Sequence, residues 1–335
     1  MTHPLSRDLC HPSLGQRFRV DQEEYELGGV IGDGAVGVVR KATRSRDSSP
    51  RAVKFLAPDP KYIDQAVFDD VAARFTREGE RGCKLDFPSL LKVQSYVANE
   101  GGAAFDIGTP RNPFLLMEFA GGRTLEGYIR RLSVDDPGSF DISEEKLDIA
   151  LQFVEGLEYL HKKKLVHRDV KPANIFLTRV INGGFRFVAK LGDFGIVKWG
   201  DFHASLSTGV LTATSQRGLG TLKYMSPEQA IAPKNVGVKS DIYSLGITLF
   251  ELFAGRILAS PHHVYEIMSA RLARGSTLSR FASMNYTLKI HDQEIGELLL
   301  DMHLRGLSGR PSIDKVRGVL RRAYENVTGK EWQAP

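Results

Sequence analysis

The chain has 335 residues, 42% hydrophobic and 25% charged, an ordinary globular composition too long for one compact lobe, so two lobes or domains are expected. Two cysteines, Cys10 and Cys83, exclude a disulfide framework, lack metal-ligand spacing and suggest a reducing, cytoplasmic setting. The net charge of +5 is mild, and no stretch approaches the roughly 20 apolar residues of a membrane helix.

Residues 1–22 are polar, proline-broken and aperiodic, with no apolar core of a signal peptide, and read as a leader outside the fold. Tyr25–Leu56 has the pattern strand, glycine turn, strand, loop, strand, the second turn supplied by Arg46–Pro50. A charged segment around Gln65–Cys83 predicts one helix, and strands follow near Leu91–Val97 and Pro113–Glu118. Between them Asn99–Asn112, rich in glycine and small residues, reads as a surface loop. After Gly121–Gly122 the pattern turns helical, with Ala150, Val154, Leu157 and Leu160 at helical spacing and Ser143 as N-cap. Asn182–Gly184 reads as a hairpin turn, and Ser226–Val327 is mostly helical pattern. This is an α+β layout of a strand-rich small lobe and a helical large lobe, with the boundary near Ala120–Arg123. Lys315, Arg317, Arg321 and Arg322 on the last helix read as a solvated face, so nucleic acid is not an expected partner.

Gly32, Gly34 and Gly37 form G-x-G-x-x-G, but Val38-Val39-Arg40 continues as a strand, which excludes a dinucleotide-type strand–helix turn. Glycines let backbone N–H groups approach phosphates, and Lys54 on the next strand can add a point charge. Flanked by Val53 and Phe55, Lys54 is expected in apolar surroundings and therefore needs an acidic partner.

Four segments carry the rest: Ile31–Val39 (IGDGAVGVV), Arg51–Lys54 (RAVK), His167–Ile175 (HRDVKPANI) and Leu191–Lys198 (LGDFGIVK). In this order they resemble the signature set of the eukaryotic-type serine/threonine protein kinases, in the style of bacterial and other soluble members. The resemblance covers about Tyr25–Tyr324. It implies a two-lobed protein-kinase fold: a small β-rich N-lobe with one helix (about 23–120) and a larger, mainly helical C-lobe (about 121–327). Together these make one domain over 23–327, followed by a short tail, 328–335.

The resemblance also implies roles. Asp169 would accept or orient the substrate hydroxyl proton, and Lys171 would reach the γ-phosphate. Asn174 and Asp193 would hold Mg2+ or Mn2+ through oxygen ligands. Glu78 is the implied partner of Lys54, with Glu80 two residues on as the competing reading. Gly82, where many kinases place a bulky residue, predicts a loosely seated helix. Ile31 and the three glycines would cover ATP. Met117 would be the gatekeeper, the backbone of Glu118 and Ala120 would meet adenine, and Val39, Ala52 and Phe176 would sandwich the ring. Glu228 is expected to pair with Arg310, and Asp241 to brace the catalytic loop.

Lys171 marks the serine/threonine branch, and Gly220–Glu228 resembles the segment that seats a peptide, with Thr221 near Asp169 and Lys171. Arg168 is placed to pair with a phosphorylated loop residue, Thr212 or Thr214, which implies autophosphorylation and room for dimerisation in trans. Thr124 and Ala173 stand where basophilic relatives carry acids, so no upstream arginine is expected in the protein substrate. A pseudokinase would normally lack Lys54, Asp169 or Asp193. A small-molecule kinase on this fold would lack the peptide-seating segment.

Overall fold

The structure, a computed structural model, describes residues 15–34, 37–57, 68–98, 113–135, 141–181, 185–193, 223–231, 236–255, 257, 293–304 and 306–335. They divide into two units. The first holds the described residues up to Asp86 and those from Leu91 to Phe119; the second holds Phe87–Leu90 and those from Ala120 onward.

The first unit is an antiparallel sheet of β1 (Arg17–Val20), β2 (Glu23–Asp33), β3 (Gly37–Arg44), β4 (Pro50–Leu56), β5 (Val93–Val97) and β6 (Phe114–Glu118), in the order β1-β2-β3-β4-β6-β5. Side chains alternate along each strand. Val38, Ala42, Val53, Phe55, Phe114 and Leu116 therefore share one face, where they bury against Phe18, Val20, Tyr25 and Leu27. That leaves Val39, Ala52, Lys54 and Met117 on the other face, in the registers Val39↔Lys54 and Ala52↔Met117.

Two expectations change here. The leader is shorter than the polar composition suggests, because Arg17–Val20 alternates exposed arginine with buried Phe18 and Val20 and pairs with β2. Residues 1–14 lie outside the described residues. Secondly, Gly82 does not loosen its helix, α1 (Phe68–Gly82). A Cβ on Gly79 would stand 2.5 Å from the Tyr96 ring and 2.7 Å from Leu115, and one on Gly82 would stand 2.9 Å from Val93. The two glycines allow α1 to lie closer to β5 and β6 than any side chain would permit, and Thr76 Oγ1 meets Tyr96 OH at 2.8 Å on the same contact.

The second unit contains a small sheet of β7 (Arg123–Thr124), β8 (Ile175–Ile181) and β9 (Phe185–Leu191). Its helices are α2 (Leu125–Asp135), α3 (Glu144–Lys162), α4 (Pro227–Ile231), α5 (Val238–Phe253), α6 (Gln293–Leu304) and α7 (Ile313–Thr328). Ser143 occupies the N-cap of α3 without a side-chain bond. Every residue of α5 from Ser240 to Phe253 is buried, so α5 is a core helix of this unit. The Asn99–Asn112 loop and the Asn182–Gly184 turn lie outside the described residues.

The basic residues of α7 are only in part the expected solvated face, Lys315 and Arg322 being exposed while Arg317 and Arg321 are half-buried. Arg317 and Arg321 reach Glu158 and Glu155 of α3, the latter at 3.0 Å, while Lys315 and Arg322 pair with Asp301 and Glu294 of α6. The run ties α7 to its neighbours instead of facing only water. Nor is the tail loose: Trp332 is 3% exposed and donates its indole N–H to Asp148 Oδ1 at 2.8 Å. Arg186 grips the same carboxylate at 2.8 and 2.9 Å.

Candidate active site

In the first unit the alternation of β4 puts Ala52 and Lys54 on the face opposite the aromatic core. Lys54 Nζ lies 3.3 Å from Glu78 Oε1, with the two side chains 15% and 4% exposed. Glu80 is exposed, so burial separates the two candidate acids. Two charges removed from water need each other, which explains why the pair survives in this interior.

The glycine turn closes through a 3.0 Å bond from Gly34 N to Gly37 O, and Gly32 pairs with Val39 across the ladder. A Cβ on Gly37 would fall 2.2 Å from Phe55 O, so glycine is obligatory there for the close approach of the strands. Ile31 is 49% exposed beside this turn. Met117 is buried on β6, and Glu118 N donates to Lys92 O at 2.9 Å.

In the second unit the residues of the His167–Ile175 segment come together. Asp169 is 5% exposed, and Lys171 Nζ approaches its Oδ2 at 3.1 Å. Asn174 Nδ2 donates to Asp169 O at 2.8 Å and to Asp169 Oδ2 at 2.7 Å. With both amide hydrogens directed at Asp169, the Asn174 oxygen is the atom left to act as a ligand. Gly192 N donates to Asn174 O at 2.9 Å, which anchors the backbone immediately before Asp193. Asp193 and Arg168 both adopt left-handed backbone, φ +56° and +67°. Non-glycine residues rarely do so unless their surroundings compel it.

Here the compulsion is visible. Asp241, fully buried at the start of α5, accepts His167 N at 2.8 Å, Arg168 N at 2.7 Å and His161 Nε2 at 2.9 Å. His167 Nδ1 accepts from Asp169 N at 3.3 Å, so its Nε2–H is the donor to Gly192 O at 3.2 Å. Burial holds the His167 pKa below its ordinary value against the pull of Asp241, Asp169 and Asp193, consistent with that neutral tautomer.

Glu228 and Arg310 form a buried fork at 2.6 and 3.0 Å, with Ser240 Oγ donating to Glu228 at 2.7 Å. Phe176 is half-buried on β8 opposite Thr124, and Ala120 and Ala173 are also half-buried. Thr212, Thr214 and Thr221 lie outside the described residues.

Sequence reasoning missed two groups. Glu251 stands in the sequence as a lone charge within the apolar run Ile242–Phe253. In fact its carboxylate is fully buried and receives Lys223 Nζ at 2.5 Å and Tyr224 OH at 2.6 Å. Burial, then Glu251, pushes the Tyr224 hydroxyl far above its ordinary pKa. Gln229, one residue beyond the Gly220–Glu228 segment, is 5% exposed and bonded on both sides of its amide. A polar residue next to Pro-Glu at a helix start was the available signal.

Over residues 25–318 the sequence matches the family described as the protein kinase domain. It is similar to the serine/threonine-protein kinase PrkC of Bacillus subtilis, 33% identical over 237 residues that cover 70% of this chain and 31% of that protein. A second relative, a probable serine/threonine-protein kinase PknB of Bifidobacterium longum, is 32% identical over 237 residues covering 69% of this chain and 30% of that protein. The chain thus matches under a third of the length of these curated relatives. Among solved structures, the PknI kinase domain of Mycobacterium tuberculosis is similar in fold, with a TM-score of 0.59 at 21% identity, covering 93% of this chain and 99% of that one.

Proposed function

Because this chain belongs to the protein kinase domain family, we propose that it is a serine/threonine protein kinase that transfers the γ-phosphoryl group of ATP to a protein hydroxyl. The observation that carries the reading is the Asp169–Lys171–Asn174 arrangement, pinned from below by Asp241. Such chemistry asks little covalent work of the protein; it needs alignment and neutralised charge.

Asp169 takes the proton as the substrate hydroxyl oxygen bonds to the γ-phosphorus and the bond from that phosphorus to the β–γ bridging oxygen breaks, leaving ADP. Lys171 and Lys54 supply positive charge to the phosphates, and Glu78 orients Lys54. Gly32, Gly34, Gly37 and Ile31 lie over the nucleotide. Val39, Ala52, Met117 and Phe176, with the backbone of Glu118 and Ala120, hold its base.

Mg2+ or Mn2+ would be held by Asp193 and Asn174. The donor set fits a hard cation: one carboxylate and one amide oxygen, the latter oriented by the bonds from Asn174 Nδ2 to Asp169. A bound divalent ion screens the charge that builds on the phosphate oxygens.

The protein substrate, ATP and a cytoplasmic setting belong to the same proposal, as does autophosphorylation at Thr212 or Thr214, met by Arg168 and achieved in trans between transiently associated copies. Thr124 Oγ1 accepts Gly127 N at 3.2 Å as a cap of α2, and with Ala173 it leaves no acid for an upstream arginine. No described helix is long and apolar enough to cross a membrane.

The test is radiolabelled ATP with the wild type and Asp169→Ala, alone and with a generic protein acceptor. Label should enter protein only with the wild type. Equal labelling by both, or none by either, would defeat the reading.

A further inference from the structure

We propose that Gln229 is a positioning residue for the transfer reaction: it couples the peptide-seating segment to the orientation of Asp169. The inference rests on the kinase reading above and extends it to a residue with no expected role.

Arg168 is the residue before Asp169, and its left-handed backbone is held from both sides. Its N–H is bound by Asp241 of α5 at 2.7 Å. Its carbonyl is bound by Gln229 Nε2 of α4 at 3.0 Å. Two peptide units flank a conformation that a non-glycine residue does not adopt by preference. Each anchor therefore restrains the direction in which the next side chain, Asp169, projects.

Gln229 is itself fixed. Its Oε1 accepts both Ser226 N at 3.0 Å and Ser226 Oγ at 3.1 Å. Six and five residues upstream, Lys223 and Tyr224 are clamped onto the buried Glu251 carboxylate. One residue before it, Glu228 is locked to Arg310. The stretch from Lys223 to Gln229 is thus held at several points, and the Gln229 amide bonds it directly to the loop that carries Asp169. An amide serves both ends: the oxygen receives donors from its own segment while the nitrogen donates across to the loop. No carboxylate or ammonium in its place could do both.

The decisive substitution is Gln229→Glu. It keeps the acceptor for Ser226 and the shape of the side chain, but cannot donate to Arg168 O. Expected results are a kcat toward a protein acceptor about tenfold lower, in line with one buried hydrogen bond, with KM for ATP within about twofold and a lowered thermal midpoint, because a carboxylate oxygen then faces the Arg168 carbonyl. Gln229→Ala, which also releases Ser226, should add a rise in KM for the acceptor. Hydrogen exchange supplies a readout independent of turnover, since the amides of residues 167–169 should exchange faster in Gln229→Glu.

Unchanged kcat and unchanged exchange in Gln229→Glu would overturn the proposal. So would a parallel fall in kcat, ATP affinity and thermal midpoint, which marks a merely structural residue. If the wild type transfers no phosphate at all, the kinase reading fails, while the exchange comparison still decides whether Gln229 holds the loop.

Discussion

Asp241 binds the backbone N–H of Arg168 at 2.7 Å while Arg168 sits at φ +67°, so a buried carboxylate on a core helix dictates the conformation of the residue preceding Asp169. The same carboxylate also accepts from His167 N and His161 Nε2. Asn at position 241 would keep one acceptor and turn an NH2 toward a backbone donor. Hydrogen bonds to a charged group contribute about 1.5–3 kcal/mol each. Asp241→Asn should therefore lower stability by about 3–5 kcal/mol in urea titration. A small misplacement of Asp169 should also reduce kcat about 100-fold. Full turnover in a folded Asp241→Asn protein would show that the brace does not orient the loop.

The Lys54–Glu78 pair separates stability from catalysis. Lys54→Met leaves a carboxylate that is 3% exposed beside an apolar chain, at a cost of about 3–5 kcal/mol. It should also reduce kcat/KM for ATP by about 100- to 1000-fold through loss of charge at the phosphates. Glu78→Gln in the same molecule should restore most of the stability and none of the activity. The measurement is a double-mutant cycle read by both urea midpoint and phosphoryl transfer. Recovery of activity in the double variant would remove Lys54 from the reaction.

How much of this was legible in the chain depended on sequence distance. Asp169, Lys171 and Asn174 fall within six residues, so the chain itself keeps them close, and Val53 and Phe55 on either side of Lys54 raised the expectation of a buried cation. Glu228–Arg310 was readable only through resemblance, because the partners stand 82 positions apart. The strand β1 was hidden because two arginines made four residues look polar, although Phe18 and Val20 alternate inward. Gly82 misled because helix propensity is a local property, whereas the contact of Gly79 and Gly82 with Tyr96, Leu115 and Val93 is tertiary. Glu251 and Asp148 were opaque for a similar reason. A lone acid in a helix reads as exposed until Lys223, or Arg186 and Trp332, arrive from distant segments.

The Glu228–Arg310 fork should set part of the acid limit of the fold. Burial alone would raise the Glu228 carboxyl, but the bonds from Arg310 and Ser240 outweigh it and hold the pKa below the ordinary 4.5. The unfolded chain then binds the proton more readily than the folded one. The pair's contribution is fully present above pH 4.5 and is lost as pH falls through the lower folded value. With Arg310→Met the balance reverses, since burial remains and the cation is gone. The midpoint of acid unfolding, followed by circular dichroism, should move to higher pH, and stability at pH 7 should drop by about 3–5 kcal/mol. An unshifted acid midpoint would mean that other groups control acid unfolding.

Trp332 should behave as part of the helical unit and not as an appendage. Its indole is 3% exposed, donates to Asp148 Oδ1 at 2.8 Å and carries the Arg321 guanidinium 5.4 Å from its ring centre. Asp148 in turn accepts from Arg186 and from Gln152, whose amide also receives Ala189 N of β9 at 2.8 Å. The tail therefore closes a polar network that joins α3 to the small sheet. Trp332→Phe removes the N–H and the five-membered ring of the indole, and should cost at least about 1.5–3 kcal/mol, because a bond to a charged acceptor is lost along with packed ring atoms. Trp332→Ala also empties an aromatic site and should cost about 3–5 kcal/mol. In both variants kcat per folded molecule should stay at the wild-type value, since the indole touches none of the groups assigned to transfer. Urea titration and initial-rate assays on the same preparations test this. Equal stability of Trp332→Ala and the wild type would show that the tail is not seated on Asp148 in solution.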